Sequence, residues 1–493
     1  MDRNVQFFRD ALHDSFDLDV RRFNLGVFPH PAAAVLSVQG LVDVRLIADA
    51  VLKPLMQMRT DVRFNSAKNK IAELAEAALV VAGGVERVSS LKVMLGALLG
   101  GQAVVLFDDS TEGLLINARG WQSRAVDEPP SEAVTKGPRE GFVETLQTNT
   151  SLLRRIIRDD GLTFRSLILG RRTRTTIVVA YVRELADPGL VSELLRRLEA
   201  IDIDGVLDSN YLAELITDAP LSPIPAVGST ERPDVVAARL LEGRAAVLVD
   251  GSPFALTVPS LVVEWFQSPQ DYYMGPYFQS FVRMVRYISF LFSILALPLF
   301  VAITTYNQEL MPTPLLLSIS AAKQGTPFPA AVESALMLLF FEVLREASMR
   351  MPRGLGGVVA VVGALIIGQV SVQAGLVGAP TIIAMALTAI SSFVVPTQIE
   401  SGAIARLVLL ALAAMLGLFG VVMGLLLMIG HVASVQSFGV PVLSSFAPFR
   451  ASEMRDMVVR LPWWAMRGRP VSLRPRDKQR QASGPVAKPR KGR

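Results

Sequence analysis

The sequence predicts a chain in two parts: an α/β region of two similar subdomains, followed by an α-helical polytopic membrane domain. Three observations carry this. The 493 residues are 51% hydrophobic, close to the apolar share of soluble domains, yet residues 1–280 read as ordinary globular sequence while 285–436 are mostly apolar. The stretch "GQAVVLFDDS" at 101–110 returns as "GRAAVLVDGS" at 243–252. Several apolar runs after residue 285 approach the roughly 20 residues that cross a bilayer at 1.5 Å per residue.

The repeat extends upstream of each copy. "AAVLSVQGLVDVRLIADAVLKPL" at 33–55 parallels "TIVVAYVRELADPGLVSELLRRL" at 176–198. Each is a β-branched apolar run, a short turn with an aspartate, then a segment of helical period. Asp187 before Pro188 is a strong helix start: a side chain that accepts N–H bonds, then a preset φ. Asp43 takes the same role in the first copy. The chain divides into 1–135 and 171–270 as the two subdomains, 136–170 as linker helices with the GPREGF motif, 283–436 as the membrane domain and 437–493 as a cytoplasmic basic tail with a disordered end. The N-terminus "MDRNVQFFRDALHDSF" is charged where a signal peptide would be apolar, which places the soluble region on the cytoplasmic side.

The linker "KGPREGFVETLQTNTSLLRR" at 136–155 breaks at Gly137-Pro138 and reads as helix over 141–158. Arg139, Glu140, Arg154, Arg155 and Arg158 form either a solvated charged face or an oligomer or partner contact, because guanidinium forks bind carboxylates bidentately.

Composition excludes several functions. Without cysteine there is no disulfide and no thiol chemistry. The net charge of +5 sits largely in the tail "RPRDKQRQASGPVAKPRKGR", read as a topology signal facing anionic lipid and not as a nucleic-acid arm. Asp202-x-Asp204-Gly205 imitates the first motif of a phosphatase family. It follows a helix, however, and too little chain remains before the membrane for that domain. No enzyme, cofactor or metal site is expected.

In the apolar half, spans are expected at 287–305, 355–375, 379–396 and 403–435, the last too long for one perpendicular crossing, so that it tilts, breaks or projects. Arg283 and Arg286 before the first mark its start as cytoplasmic. Gly356, Ala360, Ala364 and Gly368 make one small-residue stripe; Ala413, Gly417, Gly420 and Gly424 make another, for helix packing. The segment 312–347 is broken by Lys323, Gly325, Pro327 and Pro329 and carries Glu333, Glu342, Arg345 and Glu346. Ionisable groups at membrane depth face a protein interior or a water path, so 312–347 is expected to be re-entrant. Glu333, Glu342, Glu346, Gln369 and Gln373 are the candidate ion pathway. Four spans plus the re-entrant pair leave "REASMRMPR" outside, against the positive-inside trend.

"KGPREGFVETLQTNTSLLRRIIR", "IDIDGVLDSNYLAELI", "SPQDYY", "PTPLLLSISAAKQGTPFP", "FEVLREA" and "SFGVPVLSSFAP" occur in an order that resembles the A subunit of spore germination receptors. The resemblance runs from about residue 5 to 450. "VLKPLM" at 51–56 looks more like a receptor A subunit than its sporulation-stage paralogue. The resemblance implies the inner spore membrane, a permease-like B subunit and a lipoprotein C subunit as partners, and a response to nutrient germinants with ion release. It also implies that the A subunit assembles into a homo-oligomeric, ion-conducting element. A non-conducting scaffold is the alternative.

Overall fold

The computed structural model describes residues 1–27, 30–58, 70–79, 84–108, 110–120, 129, 132–351, 363, 368–444, 446–449 and 453–481. The first sheet holds β1 (Leu18–Asn24), β2 (Ala32–Val38), β3 (Val85–Val88), β4 (Ala103–Phe107) and β5 (Gly113–Ile116), in the order β1-β2-β4-β5-β3. The second holds β6 (Leu162–Leu169), β7 (Thr175–Val182), β8 (Gly228–Thr230), β9 (Ala245–Val249) and β10 (Ala255–Val258), in the order β6-β7-β9-β10-β8. The two orders are the same, and every neighbouring pair is antiparallel. The repeated stretches are the central strands: Val35 pairs with Val105 as Val179 pairs with Val247.

Strands β4 and β9 are buried along their whole length, because each sheet carries helices on both faces. Alternate residues feed opposite cores: Val35 and Val105 one, Leu36 and Val104 the other; Val179 and Val247 one, Val178 and Ala246 the other. A period-2 chain between two helix layers has this arrangement. The expected caps are present. Asp43 Oδ1 accepts from the amides of Arg45 and Leu46 at 2.8 and 3.2 Å, and Asp187 Oδ1 accepts from Gly189 at 2.9 Å.

The C-terminal half is helical. Pro276–Thr305 is long and apolar enough to cross a membrane, as is the stretch Pro396–Ser434. Only 33% and 28% of their apolar windows are buried inside the chain, whereas a soluble core helix is mostly covered. The segment 312–347, expected to be re-entrant, divides into two helices. A short helix, Thr313–Lys323, is followed by Ala330–Arg350, whose 21 residues extend about 31 Å.

The over-long last segment breaks, as one of its expected outcomes: the helix Ile399–Ser434 is a hairpin. Gly417 has φ +62° and ψ −142°, a left-handed geometry that only glycine adopts without strain. The two halves fold back on each other there. A Cβ at Gly424 would meet Leu409 Cδ2 at 2.7 Å, and one at Gly420 would strike the Leu412 carbonyl. Both ends return to one place: Ser401 Oγ donates to Pro223 O at 2.6 Å, and His431 Nε2 lies 2.9 Å from Ser222 Oγ. The tip lies beside the far end of the first long helix, where Tyr306 Oη donates to Ala414 O at 2.7 Å.

This fixes the direction of the remaining helices. The helix Ala379–Phe393 leads into Val395, which packs with Ala226, Val262 and Phe266 of the N-terminal half. Its start at Gly378 is therefore about 22 Å away. Glu333 bonds that start, whereas Glu342 bonds Arg406, which lies only five residues beyond Ser401. Ala330–Arg350 accordingly runs back toward the soluble part.

After Ser434 the chain forms a strap over the second subdomain. Val262 N donates to Val442 O at 2.9 Å, Arg476 N to Leu185 O at 3.0 Å, and Arg480 pairs with Glu242 at 2.7 Å. The basic segment 474–481 docks through backbone bonds and guanidinium groups, with little apolar burial, so its poverty in apolar residues does not keep it from packing. The end of the tail, 482–493, lies outside the described residues.

Candidate functional site

In the helical half, the only fully buried carboxylate among the sequence candidates is Glu333. Its exposure is 0%. Oε2 accepts from Thr381 Oγ1 at 2.6 Å and from Gly378 N at 3.3 Å; Oε1 is buried with no hydrogen-bond partner. Ser334 beside it is also fully buried, with its hydroxyl unpartnered. The carboxylate thus sits at the N-terminus of Ala379–Phe393, where the backbone amides and helix dipole favour negative charge. Lys323 approaches the same place: a Cβ on Gly378 would lie 3.4 Å from Lys323 Cγ and 3.7 Å from Glu333 Oε2.

The other candidates are not gathered around it. Glu342 is held by two guanidinium groups, Arg345 Nη2 at 2.6 Å and Arg406 Nη2 at 2.8 Å; Arg406 itself is buried and donates to Ser293 O. Glu346 pairs with Arg350 at 2.6 Å on an exposed turn. Gln369 and Gln373 are exposed on the outside of the chain. Among the described residues, the five share no lumen within one copy. Gly356, Ala360 and Ala364 lie outside the described residues, and Gly368 is half-buried. Gly420 and Gly424 are packing positions inside the hairpin, whereas Gly417 is its turn.

The linker differs from its expected form. The helix is Leu146–Ile156, not 141–158. Residues before it are held extended by buried Asn149, whose side chain bonds both the amide and the carbonyl of Val143 at 2.9 and 2.6 Å. Arg154 is corrected as a partner contact. It is 0% exposed and grips Asp17 with Nε and Nη2 at 2.9 and 3.0 Å, while Nη1 donates to Leu162 O at 2.8 Å. It joins the two subdomains within one chain. Arg155 pairs with Glu140 at 3.1 Å, half-buried; Arg139 and Arg158 remain exposed. Asp202 sits on an exposed turn, bonded by both oxygens to Arg171, which holds its carboxyl below the usual range.

A charged joint at the base of the first long helix was not anticipated as a site. Arg283 and Asp271 are both 0% exposed. Arg283 Nε donates to Asp271 Oδ2 at 3.0 Å, and its Nη1 donates to Asp456 Oδ1 at 3.0 Å and Asp456 O at 2.6 Å. Arg286 shares Asp271 at 2.9 Å, and Tyr272 Oη donates to Asp456 Oδ2 at 2.8 Å. Burial pushes the Asp456 carboxyl up, against the pull of Arg283, and raises the Tyr272 phenol. The joint fastens the helix, the pre-membrane segment (residues 259–275) and the strap together. The signal in the sequence was the arginine pair at 283 and 286, which positive-inside reasoning reads as topology alone. Among the described residues no group of three His, Asp or Glu is placed to hold a metal.

The sequence pattern of the Bacillus/Clostridium GerA spore germination protein family matches residues 6–472. Spore germination protein KA of Bacillus subtilis (strain 168) is 38% identical over 97% of this chain and 88% of its own length. Spore germination protein B1 of the same organism is 34% identical over 98% of this chain and 99% of its own. The crystal structure of the N-terminal domain of the A subunit of the Bacillus megaterium spore germinant receptor GerK3 aligns at 32% identity with a TM-score of 0.43, covering 53% of this chain and 95% of that one.

Proposed function

The chain belongs to the GerA family of spore germination proteins, and from that premise we propose that it is the membrane-embedded A subunit of a nutrient-germinant receptor and forms the ion-conducting element of that receptor as a homo-oligomer. Its partners in this reading are the permease-like B subunit, which takes the nutrient, and the lipoprotein C subunit. It sits in the inner spore membrane with its soluble half on the core side. Counted from the described ends, the chain changes side six times between 276 and 434. In this reading the even number keeps the strap and the basic end of Ala330–Arg350 on the core side, in line with the positive-inside trend.

The observation that carries the reading is Glu333. A carboxylate with one unpartnered oxygen, enclosed in an apolar half, is costly unless it meets a cation or a water path. Because one copy encloses no lumen with the other candidates, the passage is assigned to the boundary between copies. Exposed Gln369 and Gln373 face that boundary, and the two long helices leave most of their apolar surface for lipid and neighbours. Nutrient binding at the partner shifts a closed assembly toward an open one.

Flux from salt-loaded vesicles containing the purified chain is the test. Cation release above that of empty vesicles is expected, reduced by Glu333→Gln. Vesicles that stay tight while an assembled oligomer is present would sink conduction and leave the scaffold reading.

A further inference from the structure

A cavity of about 480 Å³ opens where three parts of the chain meet: the helix Pro233–Leu240 of the second subdomain, the pre-membrane segment and the C-terminal strap. Its volume falls in the range that encloses small organic ligands. The apolar walls are Val235, Leu241, Pro269, Tyr272, Tyr273 and Trp463.

The polar walls are unequal in what they have left to offer. Four carboxylates line the cavity, and each is paired with at least one guanidinium group. Asp234 accepts from Arg232 and, at 2.7 Å, from Tyr273 Oη. Glu242 accepts from Arg480 at 2.7 Å and Arg244 at 3.2 Å. Glu264 meets Arg244 with Oε1 and lies 3.1 Å from Arg239 Nη2 with Oε2. Asp456 is held by Arg283 and Tyr272. The guanidinium groups are not exhausted. Among the described residues, the Arg480 side chain donates only through Nη2, and that of Arg469 through Nε and Nη1, to Leu241 O, Asp477 and Gln479 O. Spare donors thus remain on Arg480 and Arg469, 21% and 11% exposed, and on the buried Nε of Arg244, whereas Glu264 Oε2 has an ion pair but, among the described residues, no hydrogen bond.

We propose that this cavity is a ligand site for a small organic anion: a carboxylate on an aromatic or branched apolar body, with its oxygens on the Arg469 and Arg480 forks and its body between Tyr272, Tyr273 and Trp463. Charge-assisted fork bonds fix the anionic end, and the rings supply the apolar contact area. The wall residues Asp456 and Tyr272 also hold Arg283 at the base of the first long helix, so an occupied site stiffens the link from strap to helix. The assignment does not depend on whether the assembly conducts ions.

The full chain in phosphatidylcholine nanodiscs is titrated with para-trifluoromethylbenzoate, followed by fluorine NMR. Saturable binding is expected. Arg480→Ala weakens it at least tenfold, and so does Ala238→Trp, which fills the cavity from an exposed helix position without touching a charge. The neutral isostere para-trifluoromethylbenzamide does not compete. An absence of saturable binding, equal binding of the amide, or an unchanged titration with Ala238→Trp overturns the proposal. Binding that disappears when phosphatidylglycerol is added to the discs assigns the arginines to a lipid headgroup and overturns the soluble-ligand site.

Discussion

Arg154 has partners that no local pattern reveals: Asp17 lies 137 residues away. A linker rich in arginine reads equally as a solvated face or a contact surface, and only the fold shows that one of these side chains is internal. Removing one member of a buried ion pair leaves an uncompensated charge, so Arg154→Ala is expected to cost about 3–5 kcal/mol. The thermal midpoint of the full chain, or its failure to accumulate folded, measures this. A change no larger than that of exposed Arg158→Ala would contradict it. At the surface the scale is different. Arg196 and then Arg197 hold Glu193 down to about 2 from an ordinary 4.5. A depressed carboxylate stabilises the fold above its unfolded pKa, and the contribution is lost as the pH falls toward the folded value. The gap in thermal midpoint between wild type and Arg196→Ala should therefore close as the pH drops from about 5 to about 2; a constant gap would count against the pairing.

Elements were legible where their cause is local. The caps at Asp43 and Asp187, the paired strands of the repeat and the first apolar helix all follow from neighbouring residues. The hairpin at Gly417 was not, because glycines at 417, 420 and 424 suit one helix face packing on another helix and suit equally two halves packing on each other. The antiparallel return depends on Tyr306, Ser222 and Pro223, all more than 100 residues away. Glu333 was legible as an anomaly but not as a helix cap, since Gly378 and Thr381 come 45 and 48 residues later. The hairpin is testable cleanly because the chain has no cysteine. Single cysteines replacing Ser401 and Ser434 should label from the soluble-domain side, and one replacing Leu416 from the opposite side. A straight helix would place 401 and 434 on opposite sides. Gly417→Ala should cost roughly 1–3 kcal/mol from backbone strain alone, and more because its Cβ would meet the Tyr306 ring at about 2.9 Å; reduced protection of a cysteine at 416 would report the opened turn.

At the scale of the molecule, the duplicated N-terminal half meets the helical half at the two ends of the hairpin, at Val395, and at the segment before the first long helix, where that segment and the returning strap converge on Arg283. At that last junction the first long helix is tied to its neighbours by Asp271 and by Asp456, which Tyr272 also holds. Asp271→Asn should release the strap, seen as faster proteolysis of 453–481 with the sheets intact; unaltered digestion would show the joint to be incidental. Conduction itself is best tested by the reversal potential of the reconstituted chain in a planar bilayer under a tenfold salt gradient. Ideal cation selectivity gives about 59 mV. A wild-type potential of cationic sign that falls toward zero in Glu333→Gln is expected. A wild-type bilayer without current, or the same potential in both proteins, would contradict it.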